Sequence, residues 1–424
     1  IERPNFRRLI ALSFAVAAAM LVKSVWLALP VAFVATNGML VIAQERAGRP
    51  GLMVKSTSKL VAAFAFSLLL VNGFYGFAGS FRELREFSFC SDAFTNSEGE
   101  NRFAETGLGQ LRVPLPANYL RGIDVQTRDF ERGWVSPGWK SYLGGEWKAG
   151  GWLYYYPVGL ALKVPLGTWC LVGFGILVAL FTKHSEGSKA GSVCLVMPSF
   201  LFFVAICSAT GLNRYVRYAL PFVPVLFIWA SQVGRLWSPG QLRWRLSDRV
   251  SRSSLGDLIS ACRVLTIAAI GWLAFSMGVN SPHHLSYFNE LAGGASRGHE
   301  WLCDSNIDWG QDLFFLQQWL EKNPGAAKNL HLAYFGSVDP VDFGIQYELP
   351  PYRLIRGLSS EGQPNLQPGW YVISKNYVVG HSMPVPGCSD AIEFRHLPPE
   401  AFQYFDDLDP CADIGGAFLV YMVK

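Results

Sequence analysis

Charged residues are scarce in this sequence: they make up 16% of 424 residues, against about a quarter in an ordinary soluble domain. The deficit lies in apolar runs before Asn280, whereas the chain after Ser281 has the composition of a water-soluble domain. The sequence also lacks a P-loop, a GxSxG motif and zinc-ligand spacing, which excludes those three classes of site. A net charge of +4 is too small to indicate a nucleic-acid partner.

Long apolar segments fill most of the first 280 residues. A helix needs about 20 apolar residues to cross the bilayer core. The candidate segments are residues 9–22, 24–43, 58–78, 165–182, 192–210, 215–233 and 261–279. The pattern predicts a polytopic α-helical membrane region over residues 1–280, with about seven spans and a large loop at about 79–162.

Basic residues occupy every second connection between these segments. They are Arg3, Arg7 and Arg8; Arg46, Arg49 and Lys55; Lys183 and Lys189; and Arg235, Arg243, Arg245, Arg249 and Arg252. Short cytoplasmic loops carry an excess of Lys and Arg, whereas long loops cross the membrane largely regardless of charge. We therefore expect the plasma (inner) membrane, a cytoplasmic N-terminus and an extracytoplasmic C-terminus.

Residues 281–424 are polar and loop-rich, and they contain strand-like runs at 331–335, 370–379 and 417–423. Asp308 and Gln311 have the spacing of a capping box, so a helix is predicted to start there and to end near Asn323. These signals predict a small extracytoplasmic α/β or α+β domain.

The eight cysteines divide evenly between apolar and polar surroundings. Those in predicted exterior segments are Cys90, Cys303, Cys388 and Cys411, and an exterior location permits disulfides. Of the three pairings, Cys388–Cys411 is favoured because both residues lie in one loop-rich region.

Four basic residues flank the apolar segments on the predicted exterior side: Lys23, Lys163, Arg214 and Arg217. Each alone is explained by snorkelling to lipid phosphates. Their convergence from three separate parts of the chain instead indicates a shared anion, such as a membrane-embedded phosphate or pyrophosphate.

Other side chains leave alternatives open. The aromatic residues at the end of the large loop are either an interfacial anchor or the lining of a groove for a lipid tail or sugar ring; they are Trp147, Trp152, Tyr154, Tyr155 and Tyr156. Asp124 and Glu146 are candidate general bases. His283 and His284 suit a surface or interfacial role. Asp304, Asn306 and Asp308 begin like a calcium loop, but Trp309 replaces the required glycine, so no metal is expected.

Four stretches resemble one protein family. They are YLGGE at 142–146 with GWLYYY at 151–156, KVPL at 163–166, NRYVRYALP at 213–221, and YFNELAGG at 287–294 with DSN at 304–306 and DWGQDL at 308–313. The chain resembles the C-terminal portion of GT-C superfamily membrane glycosyltransferases, in the protein O-mannosyltransferase-like and aminoarabinose-transferase-like branch. The last stretch is the most specific, through Asp304, Asn306, Asp308, Trp309, Gly310, Gln311 and Asp312.

The resemblance implies transfer of a sugar from a polyprenyl phosphate to a glycan, lipid or protein acceptor on the extracytoplasmic face, with no further cofactor. Lys23, Lys163, Arg214 and Arg217 would hold the lipid phosphate. The family's acidic catalytic motif is absent before the second span, so we expect it upstream of Ile1 and expect this fragment to be inactive alone. The alternatives are a transporter or flippase for lipid-linked glycans and a membrane-anchored binding protein.

Overall fold

A computed structural model describes most of the chain. The described residues are 6–46, 54–132, 140–182, 186–210, 213–237, 252–353, 364–382, 385–386, 394–395 and 397–424. In the first 280 residues the helices are α1 (Phe6–Val22), α2 (Ala28–Arg46), α3 (Val54–Phe74), α4 (Ala117–Arg132), α5 (Tyr155–Lys163), α6 (Leu166–Phe181), α7 (Glu186–Ser208), α8 (Val223–Ala230) and α9 (Arg252–Val279). All seven predicted apolar segments therefore contain helix.

Two helical stretches are long and apolar enough to cross a membrane: Val216–Trp237, which contains α8 between two 3₁₀ turns, and Gly256–Val279 in α9. The pair α5 and α6, bent by 107° at its break, adds a third if it counts as one span. The other predicted spans are helical but do not meet both criteria within the described residues. The region is thus helical, with two or three stretches among the described residues that could span a membrane. The seven predicted spans stay a prediction.

The apolar helices approach each other closely where α6 carries glycine. A Cβ on Gly175 would lie 1.9 Å from the carbonyl oxygen of Trp229, and one on Gly167 would lie 2.6 Å from that of Ala269. Alanine does not fit at either position without a shift of the backbone. Gly175 therefore allows the close approach of α6 to α8, and Gly167 allows the close approach of α6 to α9.

Residues 281–424 fold around a mixed four-stranded sheet of order β3-β4-β8-β7. Its strands are β3 (Leu330–Ala333), β4 (Gly369–Ser374), β7 (Ala412–Ile414) and β8 (Phe418–Val423); β1 (Lys140–Leu143) with β2 (Glu146–Ala149), and β5 (Val385–Pro386) with β6 (Phe394–Arg395), form separate hairpin-like pairs. Strand β3 is parallel to β4, and β8 is antiparallel to β4 and β7. The three predicted strands are confirmed, except that residues 375–378 form a helix.

Four helices accompany this sheet: α10 (Gly294–Arg297), α11 (Leu313–Lys322), α12 (Pro324–Lys328) and α13 (Lys375–Val378). Buried leucines of α11, among them Leu316 and Leu320, pack with Leu332 and Val420 on one face of the sheet. An aromatic cluster containing Tyr371, Phe402 and Phe405 covers the other face. Both faces are therefore buried, as the apolar character of β4 and β8 requires.

The predicted helix start at Asp308 is wrong, because α11 begins five residues later, after Asp312. The Asp308 Oδ1 atom instead accepts a hydrogen bond of 2.8 Å from the backbone N–H of Gly310. Gly310 has a left-handed φ of +87°, which ends any helix at that point. A Cβ on Gly310 would also lie 2.4 Å from the Tyr334 hydroxyl oxygen, so this turn requires glycine.

Candidate functional site

A cavity of about 780 Å³ lies where four separate parts of the chain meet. They are the end of α1, one face of α4, the residues just before α8, and the motif at 304–312. The lining residues are Val22, Lys23, Ser24, Asn118, Arg121, Gly122, Val125, Gln126, Asp129, Arg214, Tyr215, Arg217, Tyr218 and Trp309. The volume is within the range of small-ligand sites, roughly 300–1,000 Å³.

Helix α4 contributes a polar face to this cavity. Its lining residues recur every three or four positions, from Asn118 through Arg121 and Gln126 to Asp129, which is the spacing of one helix face. The Ser24 hydroxyl donates to Gln126 Oε1 at 2.8 Å, and the Tyr119 hydroxyl donates to the Met20 carbonyl at 3.2 Å. These bonds join α4 to the end of α1.

The lining is strongly cationic. Lys23, Arg121, Arg214 and Arg217 face one carboxylate, Asp129. Among the described residues, Lys23, Arg121 and Arg217 have no ion-pair partner. Burial, and then the nearby charge of Arg217, lower the pKa of Lys23. A bound anion would relieve this repulsion between like charges.

Two of these cations, Lys23 and Arg217, make cation–π contacts with aromatic rings, which leave their positive charges in place. The Lys23 ammonium lies 4.3 Å from the Tyr218 ring centre. The Arg217 guanidinium lies 4.2 Å from the ring centre of Tyr215 and 5.9 Å from that of Trp309. These are cation–π distances, so the positive charges are kept at the cavity and stay available to an anion.

Arg214 differs from its neighbours because a buried carboxylate engages its charge. Its Nε donates to Asp304 Oδ2, and His381 Nε2 lies 2.9 Å from the same oxygen. The Arg214 and Asp304 side chains are 6% and 1% exposed. Burial opposes ionisation of Asp304, but the hydrogen bonds from His381 and Arg214 outweigh it and lower the pKa of Asp304. The pair therefore anchors the segment rather than adding free charge.

Asn306 fixes the backbone of this arginine-containing segment. Its Nδ2 donates to the Arg214 carbonyl at 2.7 Å, and its Oδ1 accepts from the Val216 N–H at 3.0 Å. The Tyr155 hydroxyl donates to the same Arg214 carbonyl at 2.6 Å. Residues 304–306 therefore position Arg214 and Arg217, and Trp309 from the same motif reaches the cavity.

Lys163 does not line the cavity with the other three predicted cations. Its Nζ donates to the carbonyl oxygens of Leu285 at 2.7 Å, Tyr287 at 2.8 Å and Asn306. It thereby joins the end of α5 to the segment that leads into the motif. The geometry gives Lys163 a structural role in place of the predicted phosphate contact.

The two predicted general bases also lie elsewhere. Asp124 is on the opposite side of α4, where it accepts hydrogen bonds from the N–H groups of Cys90 at 2.8 Å and Ser91 at 3.0 Å. Burial works against its charge, yet these bonds lower the pKa of Asp124 overall. Glu146 is exposed on β2. The carboxylate at the cavity is Asp129, whose Oδ1 lies 2.9 Å from an Arg128 nitrogen.

The remaining motif residues form further polar contacts. Asp312 Oδ1 lies 3.0 Å from His283 Nδ1, and Gln311 Nε2 donates to Asp312 Oδ2 at 3.0 Å. Burial raises the pKa of Asp308 to about 8. No group of His, Cys, Asp and Glu suited to a metal occurs in the described part of the chain.

The aromatic residues at the end of the large loop, predicted as a possible groove, do not line the cationic cavity. Tyr155 and Tyr156 are buried in a core cluster with Trp152, and Trp147 Nε1 donates to the Val379 carbonyl at 2.7 Å. Tyr154 is exposed, which suits the interfacial alternative.

Cys90, Cys303 and Cys411 form no disulfide with another described residue. Cys388 lies outside the described residues, so the Cys388–Cys411 pairing stays a prediction.

Sequence reasoning missed Arg121 and Asp129. The sequence does contain a signal for them. Polar residues recur every three or four positions over residues 118–129, which is typical of one face of a helix, inside a loop that is otherwise rich in Gly and Pro. No protein-family model, curated protein or solved structure matches this chain.

Proposed function

We propose that the chain belongs to an integral membrane glycosyltransferase of the GT-C type, which transfers a sugar from a polyprenyl phosphate to an acceptor. In this proposal the seven helical segments are spans of the plasma membrane, the N-terminus is cytoplasmic and residues 281–424 are extracytoplasmic. The cavity then lies at the outer boundary of the membrane, where the lipid phosphate of the donor is found.

The observation that carries the proposal is a cluster of cations at one cavity that have no ion-pair partner among the described residues. Lys23 follows α1, Arg121 is on α4, and Arg217 opens the apolar stretch Val216–Trp237. Three separate segments thus bring positive charge to one point beside apolar helices. Arginine and lysine bind phosphate by charge-assisted hydrogen bonds, and the apolar helices provide a surface for a polyprenyl chain.

The chemistry follows from this arrangement. The bond between the anomeric carbon and the phosphate oxygen breaks, and its electron pair leaves with the lipid phosphate. Lys23, Arg121 and Arg217 stabilise the negative charge on that leaving group. The acceptor oxygen forms the new bond to the anomeric carbon, and its proton passes to a carboxylate. Asp129 is the candidate at the cavity, so in this proposal the chain carries its own base and does not depend on the acidic motif that the resemblance implies.

Donor binding to the full chain in lipid nanodiscs tests this proposal. We expect Arg217→Gln and Lys23→Gln each to weaken binding of a radiolabelled polyprenyl-phosphate sugar by about 10–100-fold, because a hydrogen bond to a charged group contributes roughly 1.5–3 kcal/mol. The matched controls are Arg112→Gln and Lys322→Gln, at exposed positions away from the cavity. Equal binding by all four variants would refute the proposal.

A transfer assay separates the enzyme from a flippase. A transferase releases unglycosylated polyprenyl phosphate and labels the acceptor, whereas a flippase moves the intact donor between leaflets of a proteoliposome. Donor movement without bond cleavage, lost in Arg217→Gln, would favour the flippase. A membrane-anchored binding protein would catalyse neither reaction, and Arg217→Gln would have little effect on donor binding.

A further inference from the structure

A second cleft, of about 440 Å³, lies at the start of strands β3 and β4. It shares no lining residue with the cationic cavity. Its walls are the end of α12, the first residues of β3, an extended segment at 346–348 and the two residues just before β4. The cleft is therefore a separate site of the C-terminal region.

Backbone hydrogen bonds hold one wall of the cleft against β3. The Leu332 N–H donates to the Glu348 carbonyl at 2.9 Å, and the Glu348 N–H donates to the Leu330 carbonyl at 2.9 Å. Residues 346–348 thus pair with β3 on the side away from β4. Because side chains alternate along an extended segment, Gln346 and Glu348 share one exposed side and Tyr347 is buried on the other.

The side chains at this cleft are polar and have unused hydrogen-bonding capacity. They are Lys328, Asn329, Gln346, Glu348 and Gln367. No hydrogen bond or ion pair joins any of these side chains to another described residue. His331 adds a further group: its ring stacks on Tyr371 at 4.5 Å between ring centres, and its Nδ1 is shielded from solvent without a partner among the described residues.

The charges and donors of the cleft define the ligand class. The formal charges of Lys328 and Glu348 cancel, so an anion gains little here. Three amide side chains, of Asn329, Gln346 and Gln367, both donate and accept hydrogen bonds. Hydroxyl groups also do both, and a saccharide presents several of them on a rigid ring. The volume is within the usual range for small ligands.

We propose that this cleft binds a neutral saccharide. The proposal does not depend on the glycosyltransferase assignment, because it stands on residues of the C-terminal region alone. Gln346 and Glu348, on the extended segment at 346–348, would form hydrogen bonds with the ring hydroxyls. Asn329 and Gln367, just before β3 and β4, would do so from the other side of the cleft. The protein then has two sites of different chemistry, one for an anion and one for an uncharged polyol.

Saturation-transfer NMR on the full chain tests the inference. The chain is held in a detergent without a sugar headgroup, and the probes are mannobiose, lactose and maltotriose, with inorganic phosphate as the anionic probe. We expect at least one disaccharide or trisaccharide to show transfer that free phosphate does not displace. Gln346→Ala with Glu348→Ala should weaken that binding tenfold or more.

Two controls make the outcome decisive. Gln110→Ala with Glu321→Ala removes the same groups from exposed positions elsewhere and should leave saccharide binding unchanged. Thermal unfolding curves check that each variant is folded. The inference is overturned if no saccharide binds, if phosphate displaces the saccharide, or if the cleft variant binds as well as the control.

Discussion

Replacing Asp304 with asparagine should destabilise the protein severely, because the change removes the charge that partners Arg214 in a buried site. Breaking a buried ion pair by removing one partner lowers the free energy of unfolding by about 3–5 kcal/mol. The Arg214 side chain is 6% exposed, so water cannot replace the lost carboxylate. Arg214 then remains charged in a poorly solvated site.

The contacts of Asp304 give the same magnitude independently. Its Oδ2 accepts from Arg214 Nε and is 2.9 Å from His381 Nε2. A hydrogen bond to a charged group contributes roughly 1.5–3 kcal/mol. Because the asparagine amide keeps one neutral acceptor oxygen, the loss from the two contacts is at most about 3–6 kcal/mol. Asp304 has a left-handed φ of +63°. Asparagine tolerates that conformation, so the measured loss reports the charge and not backbone strain.

Equilibrium unfolding at pH 7, followed by tryptophan fluorescence in detergent, measures the effect, with Asp409→Asn as an exposed control. The pKa of Asp304 is lowered in the folded state. Its stabilisation is therefore complete above the unfolded pKa, near 3.9, and is lost as the pH falls through the folded value. The deficit of Asp304→Asn should therefore be present at neutral pH and shrink in strong acid. A loss below about 1 kcal/mol would refute the buried pair.

Two further predictions concern residues near the same motif. Lys163→Met should lower the free energy of unfolding by about 2–4 kcal/mol, because three carbonyl oxygens lose their shared hydrogen-bond donor and buried unsatisfied groups are costly. Binding of the polyprenyl-phosphate sugar by the folded fraction should be unchanged. A selective loss of that binding would contradict the structural role of Lys163. Burial raises the pKa of Asp308 to about 8, so the wild type should lose stability as the pH rises from about 4 to 8, by at most about 1.4 kcal/mol per pH unit. Asp308→Asn should flatten this dependence in melting curves, and parallel curves would count against it.

The parts of the fold that sequence predicted well are those set by local pattern. Long apolar runs became helices. The runs at 331–335 and 417–423 became β3 and β8 because short, nearly continuous apolar runs are typical of strands buried on both faces. The helix start failed because the turn at Gly310 depends on a contact with Tyr334, 24 residues away. A capping-box pattern does not contain that information.

The sequence predicted part of the cationic cavity, again because local pattern is visible in the residues and contacts between distant segments are not. Charge beside an apolar run identifies a helix end, and Lys23, Arg214 and Arg217 were found that way. The same rule selected Lys163, but side-chain direction depends on the 107° bend between α5 and α6, which no spacing reveals. Arg121 was missed because α4 lies far from any apolar run.

Residues 304–306 belong to the motif that carries the most specific resemblance. They affect the cavity mainly by fixing the backbone of the segment that contains Arg214 and Arg217. Asp304 engages the charge of Arg214, so that arginine adds little net attraction for an anion. Asn306 then fixes the backbone at Arg214 and Val216, so that Arg217 reaches the cavity without an ion-pair partner among the described residues. The carboxylate and amide of the motif therefore position the cation that faces the cavity, and an anion is attracted chiefly by Arg217, Lys23 and Arg121. This arrangement explains why a chain with a net charge of only +4 presents a strongly positive site.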